Sequence, residues 1–188
     1  MSQQELLKRF IQILDDLHIE HMVTGSVTSS LQGEPRSTHD IDIVVDLTEE
    51  AADRLRGALP PSDFYVSDQA IREALARRTT FNVVDLASGD KVDFWILTDE
   101  PFDRSRFARR RVEEILGLRL SISAPEDTIL MKLRWSELSG GSQKQFTDAL
   151  RVYEVQHALL DLDYLDEWAS RLGVESLWQR LRAEATPL

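Results

Sequence analysis

The chain has 188 residues, no cysteine, 42% hydrophobic residues and a formal net charge of −11. That length suits one domain, or a core with a small appendage. The missing cysteines exclude disulfides and thiolate metal sites, and the acidic balance argues against a protein that grips nucleic acid over a broad surface.

No apolar stretch is long enough to span a membrane. Lys8, Arg9, Asp15 and Asp16 interrupt the N-terminal apolar run, so no signal peptide is expected and a cytoplasmic location is. Residues 2–17 read as an amphipathic helix, with Leu6, Leu7, Phe10, Ile11, Leu14 and Leu17 on one side at helical spacing. His18 and His21 flank its end and read as surface or capping residues rather than metal ligands. A strand over residues 21–24 meets Gly25-Ser26, which opens a short helix over 27–32. Gly33 and Pro35 stop that helix. A second strand, 40–46, carries Asp40, Asp42 and Val44 on one face and Ile41, Ile43 and Val45 on the other. Two carboxylates fixed side by side repel, and a hard divalent cation relieves that repulsion. Mg²⁺ is commonly held by one or two carboxylates together with substrate phosphates. The Gly-Ser turn is the complementary half. Backbone N–H groups at a helix N-terminus attract an anion, Gly lets a phosphate approach the backbone, and the Ser26 hydroxyl adds a donor.

Downstream, Thr48 with Glu49 and Glu50 marks a helix start, and that helix runs to about Leu59. A short strand over 64–66 and a helix over Asp68–Arg77 follow. Residues 79–86 and 91–97 read as a hairpin joined by 87–90. Each arm holds a candidate third carboxylate, Asp85 or Asp93. Pairing Leu86 with Lys91 makes the two acids face opposite ways, so only one can join Asp40 and Asp42. Asp93 is the choice, and a one-residue change of register reverses it. Arg104, Arg106, Arg109, Arg110 and Arg111 form a basic cluster, read either as a solvated helix face or as a phosphate or RNA contact. Residues 111–116 and 118–123 are strands turning at Gly117. From Pro125 onward the chain reads as helices over 125–137, 142–156, 164–172 and 174–185.

Gly25-Ser26 followed by Asp40-Ile41-Asp42-Ile43 resembles the nucleotidyltransferase superfamily pattern of Gly-Gly or Gly-Ser, a spacer, then Asp-apolar-Asp-apolar. The resemblance implies an α/β (α+β) fold: a short mixed sheet flanked by helices on one side, about residues 1–123, with a C-terminal helical part over 124–188. It implies that Gly25 and Ser26 hold the triphosphate of an NTP, that Asp40, Asp42 and Asp93 bind Mg²⁺ or Mn²⁺, and that Asp93 completes the metal site or acts as base. The helical tail resembles the AbiE-type toxin nucleotidyltransferase branch, in which Lys132 (in LMKLRW) would hold the nucleotide or its phosphates. Asp148 (in FTDAL) would assist catalysis or position groups. The implied reaction moves an NMP to a hydroxyl of a tRNA, a protein or a small molecule, with an antitoxin as a partner. A catalytically inactive binding module of the same fold, an antitoxin-like partner, is the alternative.

Overall fold

The computed structural model describes residues 2–36, 38, 40–115 and 117–186. They divide into two compact units, residues 2–24 with 38–122 and residues 25–36 with 123–186.

The first unit begins with α1 (Gln3–Asp16). Ser2 caps it by accepting from the Glu5 backbone N–H while the Glu5 side chain reaches back to the Ser2 backbone. The remaining elements are β1 (His21–Thr24), β2 (Asp40–Val45), α3 (Glu49–Gly57), β3 (Phe64–Tyr65), α4 (Asp68–Arg77), β4 (Thr80–Asp85), β5 (Lys91–Ile96), α5 (Pro101–Ala108), β6 (Arg111–Ile115) and β7 (Leu118–Ile122), with α2 belonging to the second unit. The strands form one seven-stranded mixed sheet in the order β3-β4-β5-β2-β1-β7-β6. β2 lies parallel to β5 and antiparallel to β1, and β1 is parallel to β7.

The alternation expected for β2 holds, and it divides the core. Ile41 and Ile43 are buried. Next to Ile43, Phe94 of β5 meets Phe10 of α1 at a ring-centroid distance of 5.6 Å and stacks on Phe81 at 5.1 Å. On the opposite face Val44 packs with Met22, Leu97 and Phe107, and Trp95 lies against them. Phe107 belongs to α5, in the stretch read as a solvated helix face or a phosphate contact, and its burial means that helices cover both faces of the sheet rather than one. The Asp40 end of that second face stays open: burial along β2 rises from exposed Asp40 through half-buried Asp42 to buried Val44.

The β4–β5 hairpin pairs Val84 with Lys91 and Asn82 with Asp93, two residues away from the expected register. The turn has the expected four residues but sits one residue earlier, at 86–89 rather than 87–90, because the Asp85 N–H donates to the Asp90 carbonyl and the Gly89 N–H to the Asp85 carbonyl. A shift of two preserves the face of every side chain, so Asp85 and Asp93 still point to opposite sides.

The second unit is helical: α2 (Gly25–Gln32), α6 (Pro125–Leu138), α7 (Gln143–Gln156), a 3₁₀ turn at His157–Leu159, α8 (Leu162–Arg171) and α9 (Glu175–Glu184). The four long helices start and stop within two residues of the sequence reading. Pro125 opens α6 at a position where its missing N–H costs nothing. The α6–α7 turn uses two glycines at positive φ, Gly140 and Gly141, and the Ser136 hydroxyl donates to the Ser142 carbonyl across it. Buried acids tie α8 to α6: the Tyr164 hydroxyl donates to Asp127 at 2.7 Å, and the Asp161 N–H donates to Glu126 at 3.1 Å. The chain after α2 runs against α7. The Gln156 side chain donates to the Gln32 carbonyl at 2.9 Å. At Gly33 a β-carbon would stand 2.9 Å from the Val152 backbone nitrogen.

Candidate functional site

Each unit carries one cluster of charged side chains that matches part of the sequence expectation.

In the sheet unit the parallel pairing of β2 and β5 sets Asp42 beside Asp93 and Asp40 beside Lys91. Neighbours in register share a face, so Asp40, Asp42, Lys91 and Asp93 stand on one side of two adjacent strands. The third carboxylate therefore stands next to the Asp-Ile-Asp-Ile segment. The Lys91 ammonium donates to Asp93 at 2.7 Å and lies 3.9 Å from Asp40. Its hydrogen bond to Asp93, aided by the negative charges of Asp93, Asp40 and Asp42, raises the Lys91 pKa despite some desolvation. Trp95, one pair further along, reaches back so that its indole N–H donates to Asp42 at 3.0 Å. The donor set consists of hard oxygens on adjacent backbones, which suits a Mg²⁺-class ion. Lys91 and Trp95 hold two of the carboxylates, and among the described residues no three acidic or histidine side chains converge as metal ligands.

In the helical unit Gly25 opens α2 with φ +70°, a conformation that glycine adopts without penalty. Ser26, in the first turn, accepts hydrogen bonds from Arg36 at 3.1 Å and from Lys132 of α6 at 3.4 Å. Both cations also close on Asp148 of α7. Arg36 binds it through two nitrogens, at 2.9 and 2.7 Å, and Lys132 donates at 2.8 Å. Lys132 and Asp148 are 4% and 9% exposed, so this is a buried charge cluster rather than a surface pair. Burial opposes ionisation of Asp148, but the hydrogen bonds from Arg36 and Lys132 outweigh it and hold the carboxyl below the usual carboxylate range. Arg36 and Lys132 thus stand beside the first turn of α2, where backbone dipoles favour an anion.

The structure brings together Asp40, Asp42 and Asp93 in one cluster, and Ser26, Lys132 and Asp148 in the other. The sequence reading missed Arg36. It is a lone arginine in a loop, and its partner lies 112 residues away. Lys91 was missed although a signal existed, since a residue two before Asp93 on a strand shares its face.

Asp85 is instead a turn residue. It is 2% exposed and accepts from the Ser88 hydroxyl at 2.6 Å and the Ser88 N–H at 3.2 Å. The Ser88 hydroxyl bond, set against desolvation, lowers its pKa. Three arginines of the cluster are paired with acids. Arg104 pairs with Asp99 and Asp46, Arg106 is buried against Asp103, and Arg110 pairs with Glu20 while stacking on Phe107. His21 is a buried strand residue with Nδ1 3.0 Å from the Ile19 carbonyl.

No protein-family model matches the chain, and no curated protein matches it in sequence. Solved structures do match it. The crystal structure of ANT(2'')-Ia in complex with adenylyl-2''-tobramycin superposes with a TM-score of 0.58 at 14% identity, over 97% of this chain and 98% of that one. The lincomycin-bound lincosamide antibiotic adenylyltransferase LnuA gives 0.57 at 12%, over 82% and 98%. An antigenic nucleotidyltransferase-like protein from Paracoccidioides brasiliensis gives 0.51 at 19%, over 97% and 93%. At these identities the likeness is one of fold. The chain has a nucleotidyltransferase-like fold, a mixed sheet flanked by helices, and its structural neighbours are nucleotidyltransferases.

Proposed function

We propose that the protein is a Mg²⁺-dependent nucleotidyltransferase that moves an NMP from an NTP to an acceptor hydroxyl and releases pyrophosphate. The observation that carries this reading is the register of β2 and β5, which sets Asp93 beside Asp42 in a chain of this fold. Asp40, Asp42 and Asp93 would hold Mg²⁺, or Mn²⁺ in its place. Bound there, the ion would neutralise phosphate charge and stabilise the charge that develops on the oxygens of the transfer. The acceptor oxygen attacks the α-phosphorus and the bond to the pyrophosphate oxygen breaks; Asp93 would complete the metal site or take the hydroxyl proton. Ser26, the backbone at Gly25, Lys132 and Arg36 supply the donors and positive charge for a triphosphate. Asp148 is already saturated by Arg36 and Lys132, so its role is to position those cations rather than to act as a base.

A small-molecule hydroxyl is the favoured acceptor. Two structural neighbours hold a nucleotidylated or bound antibiotic. Arg104, Arg106 and Arg110, which would have served an RNA backbone, are engaged in ion pairs. This weakens the tRNA reading and, with it, the toxin role that the AbiE-type resemblance implied.

The test is incubation with each α-labelled NTP and Mg²⁺, separately with an aminoglycoside and lincosamide panel, total tRNA and protein lysate. Label in the small-molecule fraction is expected. Label in tRNA or protein would restore the toxin-like reading. NTP-dependent thermal stabilisation without any transfer would identify an inactive binding module.

A further inference from the structure

Lys91 stands among carboxylates that a divalent ion would need. It sits two residues before Asp93 on the same face of β5 and in register with Asp40 across the β2–β5 ladder, with its ammonium 2.7 Å from Asp93 and 3.9 Å from Asp40. Its side chain is 45% exposed and that of Asp93 18%, so the lysine can swing into solvent while the acid stays in place.

We infer that Lys91 is a built-in counter-ion that holds Asp93 in the metal-free protein and competes with the divalent ion for it, thereby setting the metal concentration at which the cluster loads. The inference rests on the metal-binding reading above. Its physics is displacement. The ion must break the Lys91–Asp93 pair and then sit beside a nearby positive charge. Without Lys91, metal-free protein loses the counter-ion that holds Asp93, so binding is relieved of both penalties. Partly exposed pairs of this kind contribute up to about 1 kcal/mol, which corresponds to roughly fivefold in an equilibrium constant.

Mn²⁺ binding to the full chain, followed calorimetrically without nucleotide, tests this directly. Lys91→Met is expected to bind Mn²⁺ about three- to tenfold tighter than wild type, with the gap narrowing as salt rises. Metal-free Lys91→Met should melt lower than wild type at low salt, and added Mn²⁺ should remove that deficit. Lys91→Arg, which keeps the charge, should stay close to wild type and guards against a packing effect. Equal or weaker Mn²⁺ binding by Lys91→Met, in a protein whose binding Asp42→Asn still abolishes, would overturn the inference and leave the proposed metal site standing. Absence of Mn²⁺ binding in wild type and Lys91→Met alike would overturn both.

Discussion

The two charged clusters are built on opposite principles. The acids of the sheet unit owe their grouping to backbone register: each sits at a fixed step on β2 or β5, with Lys91 paired to Asp93 and 3.9 Å from Asp40. The cluster of the helical unit is assembled by side chains from distant points of the chain, Arg36, Lys132 and Asp148. Each partner there is bound by another, and two of the three are buried. A cluster placed by register can tolerate unmatched charge because the sheet, not the charges, holds it together. A buried cluster assembled by its own ion pairs cannot, because breaking one pair leaves an uncompensated charge in a desolvated place. The first should therefore govern chemistry with little effect on folding, and the second should govern folding as well as ligand binding.

The largest expected effect separates the two in activity. Asp42→Asn keeps shape and strand position but removes a charge and a hard ligand. Loss of an outer-shell partner of a metal typically costs about 10–100-fold, so loss of a ligand should lower transfer more than about 100-fold. The denaturation midpoint should stay within error of wild type. Asp46→Asn, one residue beyond β2, is the control and should keep most activity. Near-normal transfer by Asp42→Asn would break the proposed chemistry.

In the helical cluster the order reverses. Asp148→Ala removes the acid that Arg36 and Lys132 share and should cost about 3 kcal/mol of stability in urea denaturation at pH 7. The pH dependence carries the same message. The folded pKa of Asp148 is depressed below its unfolded value of about 3.9. Its contribution is therefore fully present above that value and is lost as pH falls through the folded pKa. Wild type should lose its stability advantage over Asp148→Asn as pH drops from about 5 toward 2. A constant advantage across that range would mean that the ion pairs contribute nothing net.

The smallest effect sharpens the sheet side. Asp85→Asn weakens the acceptor of the Ser88 bonds and should cost about 1 kcal/mol while leaving transfer unchanged. Loss of transfer there would shift the third carboxylate to the other hairpin arm.

Much of this was legible in the sequence, and what was not has a common cause. The β2 alternation, the apolar stripe of α1 and the α6–α9 helices follow from periodicity and end signals within a few residues of each other. The hairpin register was off by two because a four-residue turn at 86–89 and one at 87–90 draw on nearly the same residues. Even so, the opposite facing of Asp85 and Asp93 depended only on odd or even spacing, which a shift of two leaves intact. The parallel pairing of β2 with β5 and the closure of Arg36 on Asp148 join segments 53 and 112 residues apart, as the Trp95–Asp42 and Arg36–Asp148 bonds show. No local pattern encodes those. The packing role of α5 was hidden because Arg104 and Arg106 made its sequence read as a solvated helix face or a phosphate contact, although Phe102 and Phe107 are buried.

The contacts along α7 have a consequence for the length of the chain. Asp148, Val152 and Gln156 are spaced four apart and so form one stripe on that helix. Arg36 bonds to Asp148, Gly33 abuts Val152, and the Gln32 carbonyl accepts from Gln156. The segment 32–36 thus runs antiparallel to the stripe and is measured out by it, at about 6 Å per step of four residues. The spacer between the Gly-Ser turn and the Asp-Ile-Asp-Ile strand is consequently a gauge rather than slack. Adding or removing one residue within 33–36 would leave Arg36 out of step with Asp148. Natural or engineered variation in chain length should avoid that segment.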